Sequence, residues 1–194
     1  MILSKGVFSA VAIALNFISF YPYVRDVLRG TVKPHVFSWI IWGITTCVIF
    51  LAQLEDRGGV GAWPMGLAGV LTFFVAFLAY VKKGDLAITR TDWIFFIAAL
   101  SALPFWYFTS TPLWAVVILT AVDLLGFGPT VRKVFDHPRS ESLTFYVLFT
   151  SRNLISIPAL ENFSVTTVLS PAVISLATAL FIGMALYRRR VLSG

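Results

Sequence analysis

With 194 residues, 58% of them apolar and only 12% charged, the chain carries too little polar surface for a water-soluble domain, whose charged fraction sits near a quarter. Its net charge of +6 does not point to nucleic acid, because the 15 Lys and Arg residues fall in short clusters between long uncharged runs. The lone cysteine, Cys47, lies inside an apolar run and excludes both an internal disulfide and a cysteine-based metal site.

A helix needs about 20 mostly apolar residues to cross the hydrocarbon core of a bilayer. Seven stretches meet that demand, roughly 5–24, 36–54, 61–81, 92–109, 112–132, 143–160 and 168–187. The opening Met-Ile-Leu-Ser-Lys5 and its apolar sequel resemble a signal peptide, but the same stretch is the first helix of an internal repeat and is therefore kept as a span. Between the fourth and fifth spans the only boundary is Thr109-Ser-Thr-Pro112, and the sixth carries Arg152 and Pro158.

The repeat is visible in Pro22-Tyr-Val-Arg-Asp-Val27 and Pro129-Thr-Val-Arg-Lys-Val134, 107 residues apart. The following loop is one residue shorter in the second copy, so Lys33 faces Arg139 and Ser38 faces Thr144 at 106; Pro64 and Pro171, Phe74 and Phe181, Tyr80 and Tyr187 return to 107. Self-similarity of this kind sets the architecture. The expected fold is all-α and integral to the membrane, with a first three-helix repeat over 1–84, a linker helix over 85–110 and a second three-helix repeat over 111–194. One linker crossing between two three-helix units leaves both units pointing the same way, so the repeats are expected to be parallel in a 3+1+3 arrangement.

Loop charge gives the same orientation. Arg25, Arg29, Lys33, Lys82, Lys83, Arg90, Arg132, Lys133, Arg139, Arg188, Arg189 and Arg190 fall in alternate loops, whereas the opposite loops carry Glu55, Asp56, Arg57 and Glu161. Basic residues collect on the cytoplasmic side. The N-terminus is therefore expected outside and the C-terminus in the cytoplasm, in a cell inner membrane.

Proline near the cytoplasmic end of the first helix of each copy, Pro22 and Pro129, either ends that helix or bends it. Its recurrence, together with Pro64 and Pro171 near the outer ends of the third helices, favours hinges on which one half rocks against the other. A proline closing the first helix, a basic residue, and a short loop to the Ser or Thr opening the second (Pro22, Arg25, Ser38; Pro129, Arg132, Thr144) resembles the PQ-loop repeat. Two such copies flanking a linker helix are similar to the SWEET (MtN3/saliva) seven-helix transporters, over nearly the whole chain. The chain departs from the family pattern at the glutamine, where Tyr23 and Thr130 follow the prolines. It also departs at the asparagines of the third and seventh helices, where Thr72, Ser175 and Thr178 are the nearest polar residues. The resemblance implies alternating-access transport.

Two ionisable residues lie inside spans, Asp123 at the repeat position of Asn16 and Arg152 at that of Thr46. Such groups are costly in lipid and face each other or a water-filled path. Either they form a structural ion pair, or Arg152 receives a carboxylate or phosphate of a solute while Asp123 binds an ammonium or carries a proton. Asn16, Ser19 and Tyr23 share one helical face, and Ser38, Trp42 and Thr45 or Thr46 come from the next helix. Trp39 and Trp42, a turn apart, form an aromatic wall, with Trp39 also suited to an interfacial anchor. The solute site is expected to be lined by Asn16, Trp42, Thr46, Asp123, Arg152 and Asn153. His35 and His137 sit in loops at unrelated repeat positions, so neither a metal nor a cofactor is expected.

The expected activity is movement of a small polar solute (a sugar, an amino acid or an organic anion) between the two three-helix bundles. A non-transporting receptor or accessory subunit on the same scaffold is the alternative. An intramembrane enzyme is disfavoured because Asp123 with Arg152 supplies neither a nucleophile with its base nor a metal. The expected partners are the solute and the bilayer, with self-association left open and no nucleic acid.

Overall fold

The computed structural model describes residues 2–30, 34–83, 86, 88–139 and 143–191. Lys33 of the predicted basic cluster lies outside them, as do the side chains of Pro129, Arg132 and Lys133. Among these residues seven α-helices follow in order: α1 (Ile2–Leu28), α2 (Val36–Glu55), α3 (Trp63–Val81), α4 (Arg90–Thr109), α5 (Pro112–Asp136), α6 (Leu143–Ala159) and α7 (Val165–Val191). A single 3-10 turn, Gly59–Gly61, precedes α3, and the described residues contain no strand.

Among the described residues four stretches are long and apolar enough to cross a membrane: Ser4–Leu28, Val36–Glu55, Gly59–Val81 and Val165–Val191. Shorter apolar stretches occupy Trp93–Thr109 and Pro112–Gly128. Helix α6, with 17 residues, rises about 26 Å, a little short of the ~30 Å hydrocarbon layer, and it carries Arg152. The outer surface is apolar: Leu180 is 66%, Tyr107 80% and Phe108 81% exposed. Such a surface is tolerable against lipid and not against water.

Lipid offers no hydrophobic drive between helices, so close backbone packing must hold them. The α2/α3 contact achieves this with glycine. A methyl group at Gly66 would stand 2.9 Å from the Phe50 ring, and one at Gly69 would stand 2.6 Å from Cys47 Sγ. Small residues on α3 thus receive large ones from α2. His35 caps α2, its Nδ1 accepting from the Ser38 backbone N–H at 3.3 Å and lying 2.7 Å from the Ser38 hydroxyl. Ser38, expected in the cavity stripe, therefore serves the helix start.

The helices pack in a ring. Helix α3 contacts both α1 and α2, and α7 contacts both α5 and α6; α1 meets α6, α2 meets α5, and α4 lies against α2 and α5. The α2–α3 and α6–α7 loops come together at one end. There Lys5 donates to Leu160 O at 2.8 Å, the Ser9 hydroxyl to Val60 O at 2.6 Å, and Asn162 to Asp56 O at 2.9 Å. The C-termini of α1, α5 and α7 gather at the other end, where Tyr23 meets Trp39 and Phe145, and where Arg188 and Arg189 donate to Phe135 O and Pro138 O.

Pro22 lies inside α1 and does not end it, since the helix continues to Leu28. Pro171 lies inside α7, and α5 runs through position 129. Pro64 is different: it occupies the first turn of α3, where a missing N–H costs the helix nothing.

Candidate functional site

The residues expected to line a solute site divide between two seams. At the α2/α5 seam the Thr45 hydroxyl donates to Asp123 Oδ1 at 3.0 Å and is also 3.0 Å from Trp42 O. Trp42, one turn earlier on α2, turns its indole Nε1 towards Gly126, one turn after Asp123 on α5; a methyl group on Gly126 would sit 3.7 Å away. Of the alternatives Thr45 and Thr46, it is Thr45, fully buried, that meets the acid. Thr46 is half-buried and makes no hydrogen bond among the described residues.

The second seam joins α1, α3 and α6. Asn16 is 1% exposed and donates from Nδ2 to Pro64 O at 2.8 Å. Because a carbonyl can only accept, that bond fixes the amide orientation and leaves Oδ1 buried without a partner. Arg152 is 3% exposed. Its Nη1 lies 4.0 Å from Met65 Sδ, its guanidinium stands 4.9 Å from the Phe149 ring centroid, and its Nε has no partner. Asn16 and Arg152 thus converge on consecutive residues, Pro64 and Met65, of the first turn of α3. Asn153, 1% exposed, donates back to Phe149 O at 3.1 Å and so serves its own helix.

Asp123 and Arg152 form no ion pair. The acid is held by a hydroxyl on α2, and the base rests on sulfur and a ring. A guanidinium buried this way has surrendered water without gaining an anion, an arrangement whose cost is several kcal/mol on the order-of-magnitude scale for buried ions. Stability does not explain its presence.

The two seams are joined by rings. Trp42 lies 5.7 Å from Trp39, Trp39 5.0 Å from Tyr23, Tyr23 6.4 Å from Phe145, and Phe145 stacks 5.9 Å from Phe149, over which Arg152 sits. The expected wall of Trp39 and Trp42 is therefore the α2 end of a longer ladder that crosses α1 into α6. Aromatic contacts of this spacing give a smooth, polarisable face with little hydrogen-bonding capacity.

Beyond these seams, Gln53, the chain's single glutamine, was not anticipated as a site residue. It is 2% exposed, donates to Thr167 O at 2.8 Å and leaves Oε1 unpartnered. An amide in an apolar run was the available signal. Thr72 and Thr178, nearest to the expected family asparagines, bond back to Ala68 O and Ile174 O in their own helices. No protein-family model, no curated protein and no solved structure matches this chain.

Proposed function

We propose that the chain is a SWEET-like transporter of the PQ-loop type that moves a small solute bearing an anionic group, with Arg152 receiving that group. In this reading all seven helices span the membrane. Helices α1–α3 and α5–α7 form two parallel bundles joined by α4, with the N-terminus outside and the C-terminus in the cytoplasm. The packing supports it: in each triplet the third helix lies against the other two, and the cross-contacts α1/α6 and α2/α5 correspond under the 107-residue repeat. The loops at 56–62 and 160–164, equivalent in the two copies, meet at one end, as same-way-up bundles require.

One observation carries the functional reading. Arg152, buried and without an acidic partner among the described residues, reaches Met65, while Asn16, whose Oδ1 is also unpartnered, bonds to the adjacent Pro64. A solute presenting a carboxylate or phosphate to Arg152 and a donor group to Asn16 would satisfy both. The α1/α6 contact joins the two repeats, and transporters built from repeats place their solute site at such an interface. Alternating access then separates the bundles about Pro22, Pro129 and Pro171.

The test is a thermal-stability screen of purified protein against small carboxylates, amino acids, phosphates and neutral sugars, followed by uptake into proteoliposomes. A ligand of the native state at a hundredfold excess over Kd adds about 2.7 kcal/mol. An anionic solute is expected to stabilise and enter with the wild type and to do neither with Arg152→Gln. Neutral sugars acting equally on both proteins would overturn the assignment of Arg152.

A further inference from the structure

Away from both seams, an apolar groove of about 360 Å³ runs between α5 and α7, lined by Leu124, Phe127, Val131, Ala177, Leu180, Phe181 and Met184. The lining positions are spaced three and four apart on each helix, so each helix contributes one stripe. The stripes continue by one turn to Phe135 on α5 and Arg188 on α7. There Arg188 Nε donates to Phe135 O at 2.9 Å, and its guanidinium covers the Phe135 ring at 4.2 Å. An apolar trough facing outward, with Leu180 66% exposed, is thus closed at one end by a cation.

We propose that this groove holds one acyl chain of an anionic phospholipid whose phosphate is bound by Arg188. Two further observations identify the occupant. From Ala177 to Arg188 the helix rises about 16 Å, close to half of the ~30 Å hydrocarbon thickness, so a chain lying in the groove spans one leaflet and places its headgroup at the guanidinium. Arg188 spends one N–H on the carbonyl at the end of α5 and forms no ion pair among the described residues; Asp136, the next residue along α5, does not reach it. The remaining donors of its planar fork suit a phosphodiester. Arg189 adds positive charge at the same end while anchored to Pro138 O. Basic pockets between spans at a headgroup level are recognised sites for anionic lipid.

The experiment uses delipidated full-length protein in detergent, titrated with phosphatidylglycerol or phosphatidylcholine of identical chains, with melting temperature and lipid retention by native mass spectrometry as readouts. Phosphatidylglycerol is expected to raise Tm by about 3 °C or more over phosphatidylcholine. That preference is expected to vanish in Arg188→Gln, to shrink in Ala177→Phe, which fills the trough, and to persist in Arg190→Gln, which removes the same charge from another face. Melting in phosphatidylcholine reports whether each variant is folded, and Arg188→Lys retains part of the preference if its backbone bond alone is lost. Equal stabilisation by both lipids, or equal loss in Arg188→Gln and Arg190→Gln, overturns the proposal. So does a change of oligomeric state in Ala177→Phe with the lipid preference intact, since a second copy would then be the occupant.

Discussion

The Thr45 hydroxyl donates to the Asp123 carboxylate at 3.0 Å and ties α2 to α5, its neighbour in the ring. A carboxylate in this setting has few ways to be satisfied, so the hydroxyl is worth more than an exposed one. Thr45→Val is expected to cost about 2 kcal/mol, within the range for hydrogen bonds to charged groups. Asp123→Asn keeps an acceptor and is expected to cost less than about 1 kcal/mol. Unfolding in detergent checks both, and the double variant should show coupling rather than simple addition.

Arg152 gives the opposite sign. Replacing it by Met, which fills similar space next to Met65 and Phe149, removes a buried charge that has no anion. Arg152→Met is expected to leave stability unchanged or raise it by about 1–3 kcal/mol while abolishing solute binding. A structural arginine would lose stability on the same change. Melting curves with and without the solute chosen by the stability screen separate the two.

At the clasped end, backbone approaches backbone. A methyl group on Gly61 would overlap Leu160 N and Ala159 C, neither of which can turn aside, and Gly61→Ala is expected to destabilise by about 3 kcal/mol. Arg57, three residues earlier in the loop than Val60, has φ 57°, where α2 ends with Gly58 N–H bonded to Gln53 O at 2.7 Å. Glycine is the usual residue for that left-handed position, so Arg57→Gly is expected to stabilise by about 1 kcal/mol. Chemical denaturation of the two variants should move in opposite directions.

The seven helices were legible because uncharged runs between charged clusters have few other solutions. The candidate site was legible only as a set of residue types. Sequence spacing placed Asp123 and Arg152 in adjacent spans but said nothing of rotation, and the helices turn Asp123 to Thr45 and Arg152 to Met65, on separate seams. It also favoured Thr46 where Thr45 meets the acid, since neighbours on a helix differ by about 100° and only packing selects between them. Gln53 and the ring ladder through Phe145 and Phe149 depend on contacts between helices more than a hundred residues apart. No local pattern announces those.

Sidedness is the simplest check on orientation. Reagents that do not cross the membrane are expected to reach a tag before Ile2 from outside and a tag after Val191 only from the cytoplasm. Both tags in one compartment would imply an even number of crossings and remove the parallel arrangement of the bundles.

The proposed alternating access requires the two bundles to part, once in every cycle, at the end where Asp56 and Ser164 are hydrogen-bonded. Cysteines at these two positions, in a Cys47→Ser background, can be joined by a short thiol-specific cross-linker and released by reduction. Flux of the selected solute into proteoliposomes is then measured in the free, linked and reduced states. The account predicts that linking stops flux and reduction restores it to the level of the free double variant. Undiminished flux through fully linked protein would contradict it.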